Sequence, residues 1–234
     1  MKISDVMKKY DIFLMDADGT LFDFEKAEAN AMRSMFERRG FCYSNDILMI
    51  YRGISSLLWE EFEKGAVSSS ELQFERFARL FNAIGISYDA RKFNAEYLVE
   101  LGKGSFLIDG ANEICEKIAA RGKRIYIVTN GILIPQKSRI ERSLIKDFIS
   151  GYFVSEAIGY QKPHALYFKH VFSSIPNFDM SETLIVGDSL SADIAGGINA
   201  GIDSCWFNRS RKINETGIIP TYEIQELSEL RVFI

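Results

Sequence analysis

The sequence predicts an α/β protein: a doubly wound, Rossmann-like parallel sheet, interrupted after its first strand by an all-helical insert. Three observations predict it. After residue 105, short runs that are apolar throughout, such as "RIYIV" and "TLIVG", alternate with amphipathic stretches. That is the pattern of parallel strands covered on both faces by helices. Residues 23 to about 104 lack such runs and carry helical periodicity instead. Polar residues fall where the apolar runs stop, the edge at which an open α/β sheet places its ligands.

The first strand is "DIFLMDAD", residues 11 to 18. In the insert, Ile47, Ile50, Tyr51, Ile54, Leu57, Leu58 and Phe62 recur at helical spacing, as do Leu72, Phe77, Leu80, Phe81 and Ile84. Gly40, Gly65, Gly85 and the pair Gly102 and Gly104 follow periodic stretches as helix-ending glycines do. Ser68 and Glu71 have capping-box spacing. These signals give four helices, and divide the chain into a core, 1–22 and 105–234, and an insert, 23–104. In the core, "GANEICEKIAARG" reads as a helix, "KRIYIVTNG" as a strand and "PQKSRIERSLIKDF" as a helix. "GYFVSEAIGYQKP" reads as a strand and a loop, "ALYFKHVFSSI" as a helix and "TLIVGD" as a strand. "SADIAGGINAG" is a helix of small residues, and "DSCWFN" a strand. "IIPTYEI" suits an edge strand, because Pro220 has no donor to give a central one.

The 234 residues are 47% hydrophobic and 26% charged, ample for a core, and the net charge is -4. Such a chain offers no basic stripe to a nucleic-acid polymer. A small anion, held by a few local groups, is compatible with it. Cys42, Cys115 and Cys205 are far apart and odd in number, which suits free thiols in a reducing compartment. The first residues lack an apolar segment of signal-peptide length, and no stretch reaches the roughly 18 to 20 apolar residues of a spanning helix. The expectation is a cytoplasmic protein with no membrane partner, a monomer or homodimer.

Chemistry enters at the strand ends. Asp16 and Asp18 end the first strand, Thr129 ends the second of the core strands, Lys162 follows the third and Asp188 ends the fourth. The fold brings these distant residues to one edge. Three adjacent carboxylates raise one another's pKa, and a hard, oxygen-seeking cation such as Mg²⁺ relieves them. Neither histidine adjoins the set, which argues against zinc. Lys162, with the hydroxyl and backbone donors of Thr129, Asn130 and Gly131, suits a phosphate. Asp16 could then attack phosphorus to form an aspartyl-phosphate, while Asp18 protonates the leaving oxygen and later takes a proton from water. An EF-hand loop is excluded, since Thr20 and Leu21 stand where its fifth and sixth positions need Asp or Asn and then Gly. His164 and His170 fit no helical metal pair. The "GGINAG" run suggests close helix packing, and Trp59 and Trp206 suit core or insert–core contacts.

In order, "DADGT", "TN" after a strand, the lysine of "QKP" and "GDSLSAD" resemble the four motifs of the haloacid dehalogenase superfamily, from about residue 11 to 208. The resemblance implies a helical cap for the insert. It also implies a nucleophile and metal ligand in Asp16, and an acid/base in Asp18 whose backbone carbonyl reaches the metal. Thr129 and Lys162 would hold phosphate, Asp188 would hold Mg²⁺, and Asp193 would support Asp188 and Lys162. "LWEEFEKG", "TNGILIPQKSRI", "VSEAIGYQKP" and "WFN" resemble the branch that contains pyrimidine 5′-nucleotidases. The chain departs from that branch at Gly19, where an aspartate is frequent, and in "RSLIKDF", which lacks a glycine. The implied function is Mg²⁺-dependent hydrolysis of a small phosphorylated metabolite, a nucleoside 5′-monophosphate first. A phosphosugar phosphatase or phosphomutase is the alternative. A non-catalytic binding protein would not need Asp18, and the resembling dehalogenases lack that second aspartate.

Overall fold

A computed structural model describes residues 8–234; residues 1–7, counted with the core from sequence, lie outside the described part. Strand β1 (Ile12–Met15) is followed by α1 (Phe24–Glu37), α2 (Asn45–Glu63), α3 (Ser69–Ile84) and α4 (Ala90–Leu101). Then come α5 (Ala111–Ala120), β2 (Arg124–Thr129), α6 (Leu133–Arg142), β3 (Ile149–Val154), α7 (Ser155–Ile158) and α8 (Ala165–Ser174). The chain finishes with β4 (Thr183–Gly187), α9 (Ala195–Ala200), β5 (Asp203–Phe207) and β6 (Tyr222–Ile224).

The six strands form one sheet in the order β3-β2-β1-β4-β5-β6, and every neighbouring pair is parallel. Successive strand residues face opposite ways, and in β1, β2, β4 and β5 both ways are buried. Phe13, Met15, Ile127 and Val186 pack with Ile114 and Ile118 of α5 and with Leu227 and Leu230 near the end of the chain. Ile12, Leu14, Val128 and Ile185 pack on the other face with Tyr167, Phe168 and Val171 of α8. Two-sided burial explains why these strands read as unbroken apolar runs rather than alternating ones. Strand order reverses direction between β1 and β4, so the ligand-binding edge expected of an open sheet lies where these two end.

The four helices between β1 and α5 have a core of their own, built on Met32, Met35, Phe36, Phe77, Phe93 and Tyr97. The predicted capping box is present: Ser68 accepts from the Glu71 amide at 3.2 Å and Glu71 accepts from the Ser68 amide at 2.8 Å.

The structure also corrects several expectations. β1 stops at Met15, so Asp16 and Asp18 lie in the turn beyond it. The helix expected over "PQKSRIERSLIKDF" ends at Arg142, because Ser143 turns extended (ψ 157) and its hydroxyl caps the Ile140 carbonyl at 2.8 Å. Only a short 3₁₀ turn, Lys146–Phe148, follows. Ser155–Ile158 form a helical turn in place of a loop. The small-residue helix starts as a π turn at Leu190–Ile194. Ile50 and Leu57 are exposed, since α2 buries only one narrow face. Gly102 has φ -62 and is right-handed; contact with Ser138 keeps it small instead. The "GGINAG" glycines do mark close packing: a Cβ on Gly196 would lie 2.6 Å from Phe168, and one on Gly197 2.5 Å from Ile185. All three cysteines are free. Among the described residues no helix is long and apolar enough to cross a membrane.

Candidate active site

The turn after β1 supplies Asp16 and Asp18. Asp16 is held by its amide, which donates to the Val186 carbonyl of β4 at 2.9 Å. The turn closes through Gly19 at φ +85, a conformation that favours glycine. A side chain there would also collide with Asp188, whose carboxylate lies 2.6 Å from the position a Cβ would take. Gly19, the departure from the nucleotidase-like pattern, therefore sits directly against a predicted site residue. Asp23 takes no part; it caps α1 by accepting from the Lys26 amide at 3.0 Å.

Lys162 lies at the bottom of the site, 1% exposed. Its ammonium donates to Asp16 at 2.7 Å, to Asp193 at 2.6 Å and to the Val128 carbonyl at 2.7 Å, which uses all three of its donors. The amide of Asn130 holds the Lys162 backbone on both sides, donating to its carbonyl at 2.9 Å and accepting from its N–H at 2.8 Å. The Asn130 side chain thus serves Lys162, although sequence grouped it with the anion-binding residues. Thr129 is buried at the end of β2, and its hydroxyl accepts from the Gly131 amide at 3.0 Å. Asp193 also accepts from the Ser189 amide at 3.1 Å. Gly187 leaves it room, for a Cβ there would fall 2.2 Å from the carboxylate. The indole of Trp206 donates to the Asp188 carbonyl at 3.0 Å and fixes that residue's backbone.

Carboxylate oxygens of Asp16, Asp188 and Asp193 lie within 4.8 Å of one another. One ammonium faces three carboxylates. Burial pushes Asp16 well above the usual carboxylate range; Lys162 opposes this, while Asp193 and Asp188 reinforce it. Burial and then Asp193 push the cleft-facing Asp188 up to about 7. Burial alone would lower the Lys162 ammonium, but Asp16 and Asp193 outweigh it and raise it. Asp188 has no ion pair among the described residues. An all-oxygen donor set with unneutralised negative charge fits a hard divalent cation.

Above this floor is a cavity of about 210 Å³, lined by Asp16, Asp18, Thr129, Lys162 and Asp188 below and by Phe24, Trp59 and Glu63 of the insert above. Of the insert aromatics, Phe24 and Trp59 face the cavity. Tyr51 is in the insert core, stacked on Phe77 at 5.3 Å, and Phe62 packs edge-on against Trp59 at 5.6 Å. Glu63 accepts from Ser191 at 3.2 Å, which ties the end of α2 to the core. The predicted histidines are elsewhere and exposed: His164 caps α8 and His170 packs on Phe153.

Two residues at the site were missed by sequence reasoning. Arg139 and Gln136, on the buried face of α6, both donate to the Asp18 carboxylate. In "PQKSRIER" they resemble the polar face of a solvated helix. Their three-residue spacing, which puts both on one face, was the only signal.

A family model for haloacid dehalogenase-like hydrolases matches residues 10–201. The chain is 42% identical to the HAD-hydrolase YfnB of Bacillus subtilis over 96% of its own length and 95% of that protein's. It is 34% identical to the pyrimidine 5′-nucleotidase PynA of Streptococcus pneumoniae, covering 94% of this chain and 93% of that one. With the pyrimidine 5′-nucleotidase YjjG of Escherichia coli the identity is 31%, over 95% and 96%. The crystal structure of YfnB bound to magnesium superposes with a TM-score of 0.89, over 95% of this chain and 97% of that one.

Proposed function

Because the chain belongs to the haloacid dehalogenase-like hydrolase family, we propose that it is a Mg²⁺-dependent phosphomonoester hydrolase acting on pyrimidine nucleoside 5′-monophosphates. The observation that carries this reading is the Asp16 carboxylate, bonded to Lys162 at 2.7 Å on the floor of a cavity walled by aromatic side chains. The insert, residues 23–104, acts as the cap over that floor.

Asp16 attacks phosphorus and forms an aspartyl-phosphate as the ester P–O bond breaks. The departing oxygen keeps the bonding pair and takes a proton from Asp18. Water then attacks the phosphorus, Asp18 accepts its proton, and the P–O bond to Asp16 breaks with the pair returning to the carboxylate. The Thr129 hydroxyl and the Gly131 backbone hold the phosphoryl oxygens, Lys162, whose three donors are taken, attracts them by its charge, and Asn130 keeps Lys162 in place. Asp16, Asp188 and the Asp18 backbone carbonyl would hold Mg²⁺, supported by Asp193. Such a cation offsets charge on the transferring oxygens.

Substrate choice rests with the cap, since the floor sees only phosphate. Phe24 and Trp59 offer flat apolar faces to a base. Glu63 also lines the cavity, and its carboxylate would disfavour the added negative charge of di- and triphosphates. The same carboxylate could accept from sugar hydroxyls, the observation behind the second reading, a phosphosugar phosphatase or mutase.

The deciding assay is phosphate release with Mg²⁺ from dUMP and dTMP beside glucose 6-phosphate and β-glucose 1-phosphate. The proposal expects the nucleotides to have the higher kcat/KM and chelation to abolish all turnover. A sugar phosphate ahead by tenfold or more would overturn the nucleotide assignment and leave the phosphatase one standing.

A further inference from the structure

Gln136 and Arg139 are absent from the mechanism above, yet they hold the residue on which both of its proton transfers depend. Arg139 Nη2 donates to one oxygen of Asp18 and Gln136 Nε2 to the other. Both donors are buried, Arg139 at 0% and Gln136 at 1% exposure. Burying a guanidinium is costly unless it is paired, and among the described residues Arg139 has a single ion-pair partner, Asp18. Its Nε and Nη1 have no hydrogen-bond partner among the described residues, and its guanidinium lies over Phe22 at 5.0 Å. A guanidinium serving only the fold would be satisfied on more sides. This one directs its bonding at one carboxylate of the site.

Where α6 is anchored matters as much. The helix starts just after Thr129, Asn130 and Gly131. Gln136 packs on the Gly131 backbone so closely that a Cβ there would sit 2.2 Å from Nε2. On its other side, Ser138 of α6 donates to the Gly102 carbonyl at the end of the insert, at 2.8 Å. The aim of Asp18 is therefore set by an element fixed to both the phosphate-binding loop and the insert.

We propose that Gln136 and Arg139 are positioning residues that aim the Asp18 carboxylate at the water hydrolysing the phosphorylated Asp16. A carboxylate has about four lone-pair sites. With one donor on each oxygen, Asp18 is fixed in direction and keeps a site free to take the water proton. In that step the water oxygen bonds to phosphorus, its proton passes to Asp18, and the bond from phosphorus to Asp16 breaks. Leaving-group departure makes less use of this grip when the leaving group needs no proton. The inference rests on the phosphatase reading and adds two residues to it.

The test is rapid acid quench with 4-nitrophenyl phosphate, reading nitrophenol release and protein-bound phosphate together. Arg139→Met should slow breakdown of the phosphorylated protein about 100-fold, the low end of what a positioned base contributes, and leave its formation far less affected. Bound phosphate should accumulate behind a burst of nitrophenol. Arg139→Lys should restore part of the breakdown rate, and Gln136→Leu should give the same imbalance more weakly. Equal slowing of formation and breakdown, or no slowing, overturns the inference. If Arg139→Met does not fold, Gln136→Leu decides by the same criterion. Wild-type protein that releases no phosphate would overturn the underlying reading too; normal wild-type turnover without imbalance in the variants overturns the inference alone.

Discussion

At Asp16 and Asp18, two carboxylates one residue apart have different neighbours. Asp16 faces an ammonium and two more carboxylates, and Asp18 faces a guanidinium and an amide. Different surroundings allow different roles, and that can be tested through the leaving group. Asp18→Asn should cost less on 4-nitrophenyl phosphate, whose leaving group needs little protonation, than on dUMP, whose alkoxide needs much. The comparison to make is the ratio of wild-type to variant kcat/KM for each substrate; equal ratios would show that Asp18 is not the acid. Asp16, Asp18, Thr129, Lys162 and Asp188 were legible because each interrupts or follows an apolar run, and a carboxylate at the end of a buried strand needs a reason. Gln136 and Arg139 were not legible. A helix carries polar residues on its solvent side at the same spacing, and only tertiary packing determines that this side of α6 turns inward.

The insert helices were legible by period, and the sheet by its unbroken apolar strands. Helix ends were less so. The residue spacing of "RIERSLIKDF" continues as a helix through Ser143; the helix stops where the serine hydroxyl takes the Ile140 carbonyl. The aromatics of α2 illustrate the same limit, since periodicity cannot tell Tyr51, in the insert core, from Trp59, on the cavity. The difference has a measurable consequence. Trp59→Ala should lower kcat/KM for dUMP by about 5- to 150-fold, which corresponds to roughly 1 to 3 kcal/mol of lost stacking. Glycerol phosphate, with no base to stack, should change little. A parallel loss on both substrates would place Trp59 in cap stability and remove it from base recognition.

For the molecule as a whole, the parallel sheet gathers excess negative charge at one edge, and stability should register it. Asp16 and Asp188 have folded pKa values raised above the ordinary 3.8, Asp188 to about 7. A raised carboxylate favours the folded state fully only below its unfolded pKa, and that contribution is lost as pH rises through the folded value. The metal-free protein should therefore lose stability between about pH 4 and 7 from Asp188, with Asp16 acting in the same direction, and bound Mg²⁺ should offset more of the loss the higher the pH. The Tm gained on adding Mg²⁺ should be small at pH 5 and larger at pH 8. A gain independent of pH, or none, would mean that these carboxylates do not hold the cation. The proposed route of turnover passes through Asp16. It is tested most directly by phosphate release from dUMP, with Mg²⁺, by wild-type protein and Asp16→Asn side by side, both shown to be folded. Loss of the anionic nucleophile at nearly constant volume predicts a fall of several orders of magnitude. Activity within about tenfold of wild type, in a preparation free of contaminating phosphatase, would contradict it.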